Sequence, residues 1–166
     1  MQQIGVLHTL RATADAAAFV RGFQAEGYAV PWDPEAGGMM AIGAADPVPS
    51  ACYVVLWTRD AVTSRWVLQY AKDAFKRGIL VEVLLEDVAS PFNGEAPIDF
   101  SRADADKREA RALWKELIRR IEAKAGQPTG NLPLKKQVEP IAYVGVLGFV
   151  VVSTMMSMGP GAQPNS

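Results

Sequence analysis

A hydroxyl and an indole stand close together where the chain passes from an apolar run into a helical pattern. The run "ACYVVLWT" ends at Thr58, and "TSRWVLQYAKDAFKRG" follows with Ser64 and Trp66 near its start. An indole offers a flat face on which a base can stack, although it can equally pack against a neighbouring loop. Both roles are open for Trp66, and the arrangement indicates a nucleotide-handling site.

Polar side chains also follow the other apolar runs, where a strand would give way to a loop. The candidates are His8, Thr9, Trp32, Asp33, Thr58, Arg59 and Asp60. His8 is the only histidine, and a lone histidine at a strand end is more often structural than catalytic. We expect Asp60 to start the turn that precedes the helix containing Trp66.

These residues need elements to position them, and the chain alternates strand and helix patterns. Short apolar runs predict strands in "QIGVLHT", "YAVPWD", "ACYVVLWT", "ILVEVLLEDV" and, at an edge, "IDF". Helical periodicity with glycine stops predicts helices in "ATADAAAFVRGFQAEG", "TSRWVLQYAKDAFKRG" and "DADKREARALWKELIRRIEAKAG". Such alternation predicts an α/β fold with a parallel sheet covered by helices on both faces. Ligands in these folds bind at the carboxyl ends of the strands, which is where the candidate residues stand.

Bulk composition narrows the classes of function. The 166 residues suffice for one domain, and a net charge of −1 gives no sign of nucleic-acid binding. The single cysteine, Cys52, excludes a disulfide framework within the chain and is more typical of core packing than of a nucleophile. Neither a GxGxxG nor a GxxxxGK[ST] motif is present, and we expect no metal site.

The C-terminal part differs from the rest in composition. "IAYVGVLGFVVVSTMMSMG" has no charge from Ile141 to Met158, a length that spans about 27 Å as a helix and so approaches the bilayer core of roughly 30 Å. A buried core helix or strand is the alternative. Lys135 and Lys136 precede the run, which predicts a cytoplasmic N-terminal side. We therefore predict a domain over 1–124, a linker over 125–140, a transmembrane helix over 141–159 and a polar tail over 160–166.

The order "GYAVPWD", "VVLWTRDAVTSRW", "RGILVEVLLEDV" resembles a bacterial Toll/interleukin-1 receptor (TIR) domain. The resemblance covers roughly Ile4 to Ile121, and the block that contains Ser64 and Trp66 is its most specific part. It implies a flavodoxin-like fold with about five parallel strands ordered 2-1-3-4-5 and "ACYVVLW" at the centre. The loop after the second strand corresponds to the family's interaction loop, with Pro34, Glu35, Gly37 and Gly38.

Many TIR domains cleave NAD between nicotinamide and ribose, and the resemblance implies the motif S-x-W-x-x-x-E for that reaction. Ser64 and Trp66 match, but Tyr70 stands where the glutamate is expected. A carboxylate can stabilise an oxocarbenium-like state, whereas a tyrosine of pKa near 10 is neutral at pH 7. Asp73 lies seven residues after Trp66 on the same helical face and is a weak candidate for a substitute acid.

Two functions follow as expectations from the resemblance. The first is a single-pass membrane-anchored signalling or adaptor module that associates with itself and with other TIR domains and does not cleave NAD. The alternative is a membrane-anchored NAD glycohydrolase acting as a defence or stress effector, with NAD as substrate or ligand and no other cofactor. Its nucleotide pocket would be formed by His8, Thr9, Trp32, Asp33, Ser64, Trp66 and Tyr70. Tyr70 favours the first function.

Overall fold

The computed structural model describes residues 2–31, 50–103, 107–126, 142–143 and 149–150. Three helices and a parallel sheet form the body of this part of the chain. The strands are β1 (Ile4–Leu7), β2 (Cys52–Trp57), β3 (Leu80–Leu84) and β4 (Ile98–Asp99), and the helices are α1 (Thr13–Ala25), α2 (Arg65–Lys76) and α3 (Lys107–Ala125). Glycines with positive φ follow α1 and α2, at Gly27 (93°) and Gly78 (71°), as the sequence predicts for helix stops.

The four strands are all parallel and lie in the order β1-β2-β3-β4. The internal position predicted for the apolar run "ACYVVLW" is confirmed, because β2 pairs with β1 on one side and with β3 on the other. The predicted count of five strands is not met among the described residues. "YAVPWD" contributes only a parallel bridge between Ala29 and Gln3, on the edge of β1 that β2 leaves open.

The predicted covering of both sheet faces is confirmed by the way β2 is buried. Successive side chains of a strand point to opposite faces, and all six residues of β2 are buried. On one face, Cys52, Val54 and Leu56 pack with α1 and α3. On the other face, Tyr53, Val55 and Trp57 pack with α2.

Aromatic side chains join α1 to α3 over the first face. The rings of Phe23 and Trp114 stack at 5.4 Å and 19°, and Phe19 meets Phe100 edge to face at 5.5 Å. The Trp114 indole N–H donates to Glu26 at 3.0 Å, so its polar edge is satisfied where α1 ends. These contacts fix α3 on the sheet through large apolar surfaces and one hydrogen bond.

A buried carboxylate lies within the second face. Glu82 of β3 is only 6% exposed and accepts a hydrogen bond from Nε1 of the fully buried Trp57 at 2.9 Å. The Ser90 hydroxyl donates to the same carboxylate oxygen. A buried indole N–H needs an acceptor, and Glu82 supplies it from the neighbouring strand.

The C-terminal apolar segment is described at four residues only. Ala142–Tyr143 (β5) and Phe149–Val150 (β6) form a short antiparallel pair, with β5 beside α3 and β6 beside α1. These four residues are extended, whereas the predicted anchor over 141–159 is helical; its other residues lie outside the described part. Within the described ranges, no helix has the length and apolar character needed to cross a bilayer. The transmembrane helix stays a prediction.

Replacing Glu82 tests whether its carboxylate stabilises the sheet. Glu82→Ala leaves the buried Trp57 N–H without its acceptor, and we expect the free energy of unfolding of residues 1–126 to fall by about 1–3 kcal/mol in urea titrations. Glu95→Ala makes the same change at an exposed carboxylate that pairs with Arg120, and should cost less than about 1 kcal/mol. Equal losses in the two variants would contradict the assigned role.

Candidate functional site

The carboxyl edge of the sheet contains a crevice of about 220 Å³ between the loops that follow β1 and β2. Five predicted candidates line it: His8 and Thr9 follow β1, Asp60 follows β2, and Ser64 and Trp66 lie at the start of α2. The remaining lining residues are Leu10, Arg11 and Val67. Residues that are more than 50 positions apart in sequence are thus brought together because β1 and β2 are parallel neighbours.

Ser64 has a structural role that its position explains. It is the N-cap of α2, with extended backbone angles, and its hydroxyl accepts from the Val67 N–H at 3.4 Å. An N-cap hydroxyl satisfies one of the amide groups that have no partner within the helix. The serine of the motif therefore positions Trp66 at the crevice through the start of the helix.

The residues after β1 form the other wall. His8 is fully buried, and its Nδ1 lies 2.8 Å from the Thr9 carbonyl oxygen, so the ring is held against the backbone of the wall. The Thr9 hydroxyl is buried and has no hydrogen-bond partner within the described ranges. Leu10, by contrast, is 60% exposed, which places a large apolar side chain at the crevice mouth.

Tyr70 packs against Trp66 and does not line the crevice. Their ring centroids are 4.8 Å apart with an interplanar angle of 62°, an edge-to-face contact one helical turn apart. Both side chains pack at the margin of the core cluster beneath α2. The residue four positions after the tryptophan thus supports the indole through its ring and is a phenol where the motif has a carboxylate.

Asp73 lies on the solvent side of α2. Its side chain is 67% exposed, and its Oδ2 lies 3.4 Å from Nη1 of Arg77 in an i,i+4 pair. Asp73 is absent from the crevice lining. The structure gives this residue the ordinary surroundings of a surface carboxylate.

The carboxylate in the crevice lining is Asp60. Asp60 and Arg11 form an ion pair at 3.3 Å that links the loop after β2 to the loop after β1. Both side chains are well exposed, at 43% and 86%, so solvent screens the pair and it adds little to stability. The sequence places Asp60 among the polar residues at this edge and in the turn before α2, but no spacing rule predicts its pair with Arg11, which lies in a loop distant along the chain.

Further carboxylates lie along the same edge, beyond the crevice. Glu86 follows β3 and accepts from the Arg59 N–H at 2.8 Å, which links the loops after β2 and β3. In the first turn of α1, burial and, to a smaller degree, the charge of Glu86 raise the pKa of Asp15 above its ordinary value. The edge thus combines Arg11 with several carboxylates.

Some predicted residues cannot be placed, and Cys52 lies in the core. Trp32 and Asp33, together with the interaction loop of Pro34, Glu35, Gly37 and Gly38, lie outside the described residues. Cys52 is fully buried, and burial raises the pKa of its thiol to about 12, so it is an unreactive core residue as predicted. In the described part of the chain, no three metal-ligating side chains cluster.

No protein-family model matches the chain, and no curated protein matches it. The resemblance to TIR domains therefore depends on the sequence motifs alone.

Ser64 variants test whether the Ser64 hydroxyl stabilises the protein by capping α2. Ser64→Ala removes the acceptor for the Val67 N–H, and we expect a loss of about 1 kcal/mol in the free energy of unfolding. Ser64→Asp retains a capping oxygen and should keep most of the stability, also because an anion is favourable at a helix N-terminus. Urea titrations of both variants measure this. Equal stability of Ser64→Ala and the unchanged protein would refute the capping role.

Proposed function

We propose that this chain is a membrane-anchored TIR-like module that acts by protein–protein association and does not cleave NAD. The observation that carries the proposal is the packing of Tyr70 on Trp66. In an NAD-cleaving TIR domain, this position of the motif holds an acid. Here it holds a neutral ring that is engaged with the tryptophan of the same motif.

The other acid on α2 does not replace the missing glutamate. Asp73 is exposed and paired with Arg77, and it does not line the crevice. Asp60 does line the crevice, but it is paired with Arg11. A carboxylate next to a guanidinium offers less net negative field to a developing cation than an unpaired carboxylate does. Both facts support a crevice that is poor at this chemistry.

The arrangement of the sheet also supports the family proposal. Parallel strands ordered β1-β2-β3-β4, with α1 and α3 on one face and α2 on the other, agree with the flavodoxin-like order for the four strands described. The crevice lies at the carboxyl ends of β1 and β2, where ligands bind in such sheets. The finer assignment to the TIR fold, including a fifth strand, is part of this proposal.

One observation favours the alternative, an NAD glycohydrolase. His8, Thr9, Ser64 and Trp66 still meet in a crevice of about 220 Å³, and the indole of Trp66 is available to a planar ring. In that case the acid is Asp60, because it is the carboxylate that lines the crevice. The substitution that tests the enzyme hypothesis is therefore Asp60→Asn, with Asp73→Asn as the matched control on the solvent side of α2.

We expect the unchanged domain to release no nicotinamide from NAD, even at high protein concentration. Absence of a preorganised charge of this kind typically costs about 10²–10³ in rate, or roughly 3–4 kcal/mol. Tyr70→Glu restores the acid of the motif but removes the ring contact with Trp66, so we expect slow nicotinamide release at most. Chromatography of the reaction mixture measures nicotinamide directly.

Tyr70→Gln is the control for that experiment, since it has the size of glutamate without the charge and loses the same ring contact. Release by Tyr70→Glu but not by Tyr70→Gln would identify the missing charge as the cause of inactivity. Rapid turnover by the unchanged protein would overturn the association proposal. Loss of that turnover in Asp60→Asn, but not in Asp73→Asn, would then support the alternative.

The association proposal predicts weak self-association that membrane attachment strengthens. Attachment of the domain to a surface raises its effective concentration, as a short linker does for two tethered modules. We expect crosslinked dimers of the full chain in vesicles at low protein-to-lipid ratio, and fewer dimers of residues 1–126 free in solution at equal bulk concentration. A full chain that remains monomeric in the vesicles would contradict the proposal.

A further inference from the structure

Helix α3 has a basic flank that the core does not use. The apolar side of the helix packs on the sheet through Ala110, Leu117, Ile121 and Ala125. Five exposed basic residues lie away from that side and define the basic flank: Lys107, Arg108, Arg111, Lys115 and Arg119. Four of them recur every four residues, so they form a row about 18 Å long on one side of the helix.

Charge is strongly segregated between α3 and the rest of the chain. Lys107–Ala125 contains seven basic and three acidic residues, a net charge of +4, although the whole chain has a net charge of −1. The remaining residues are therefore acidic, with a net charge of −5. Composition over the whole chain conceals this separation, and a surface that carries such a field favours an anionic partner.

Within the described ranges, three of the five residues of the basic flank have no ion pair with a carboxylate. Glu116 pairs with Arg119 at 2.7 Å and with Arg120 at 2.8 Å, so its charge is shared between two guanidinium groups. Their hydrogen bonds lower the pKa of Glu116 to about 2, and the carboxylate stays ionised. Lys107, Arg111 and Lys115 form no ion pair with other residues of the described ranges.

The position of α3 along the chain connects this flank with the apolar segment. The helix ends at Ala125, and 15 residues separate it from Ile141. Fully extended, such a tether reaches at most about 50 Å, so the C-terminal end of α3 lies within about 50 Å of whatever surface holds the segment. Lys135 and Lys136 add positive charge to the sequence between α3 and the apolar segment.

We propose that the basic flank of α3 docks on an anionic lipid surface and orients the domain there. This inference rests on the proposed membrane attachment through 141–159. Anionic headgroups attract basic side chains within about one Debye length, roughly 8 Å at physiological salt. Each basic residue at the surface strengthens binding about fivefold.

Lysine acylation of the full chain in vesicles tests the proposal. We expect Lys107 and Lys115 to react several-fold more slowly in vesicles with about one-third phosphatidylserine than in pure phosphatidylcholine. The protection should disappear in about 0.5 M salt, because the Debye length then falls to a few ångströms. Lys72 and Lys76, exposed on α2 at the opposite sheet face, should react at the same rate in both lipids. Mass spectrometry of labelled peptides measures each rate.

Paired charge substitutions provide the matched control. Lys107→Gln with Arg111→Gln should reduce the docking equilibrium about 30-fold and restore the reactivity of Lys115. Arg65→Gln with Lys76→Gln removes the same charge from α2 and should leave the protection intact. Equal effects of the two pairs, or equal Lys115 rates in the two lipids, would overturn the proposal.

The same labelling experiment distinguishes lipid docking from two different causes of protection. Protection in neutral vesicles that grows with protein density would assign the flank to a second copy of this chain and overturn the proposal. Protection by a short DNA duplex, with none by anionic vesicles, would overturn it in favour of nucleic acid. Carbonate extraction from neutral vesicles reports the anchor by itself, so failure of the anchor is distinguishable from failure of the flank.

Discussion

The architecture depends on the burial of β2 on both of its faces. All six residues of Cys52–Trp57 are buried, and alternate side chains join the two clusters on opposite sides of the sheet. A strand in this position has no edge open to solvent, so β1 and β3 must pair with it and helices must cover both faces. Trp57 brings one polar group into this environment, and its N–H is satisfied only because Glu82 lies beside it on β3. The end of β2 then fixes where α2 begins, and with it the crevice.

Local signals predict the parts of the fold that local physics determines. Alternating strand and helix patterns predict the parallel sheet and the three helices. The internal position of Cys52–Trp57 is also predictable, because burial on both faces requires a continuous apolar run, which a single sequence shows. The second strand is less predictable: Ala29 makes one bridge with Gln3, and strand length at an edge depends on partners that no local pattern specifies. At the crevice, the contact of Trp66 with Tyr70 has helical spacing, whereas the pair of Arg11 and Asp60 arises only when two loops meet.

The carboxyl edge shows why a match at two motif positions does not establish a reaction. Capping of α2 is sufficient reason for a serine at Ser64. The contact of Trp66 with Tyr70 helps to hold the indole whether or not a ligand stacks on it. Both residues therefore have structural roles of their own, and the third position of the proposed motif, which alone would supply charge, is Tyr70. A neutral aromatic at that position stabilises the wall of the crevice without stabilising a developing positive charge.

Charges of opposite sign gather at the crevice edge and on α3. The crevice edge contains Asp15, Asp60 and Glu86, among which the pKa of Asp15 is raised by burial and by the neighbouring carboxylate. Helix α3 carries a net charge of +4 on the opposite sheet face from α2. An anionic lipid surface would attract α3 and repel the carboxylates of the acidic edge. In the proposed arrangement, the charge of α3 contributes to the orientation of the domain and the apolar segment determines its location.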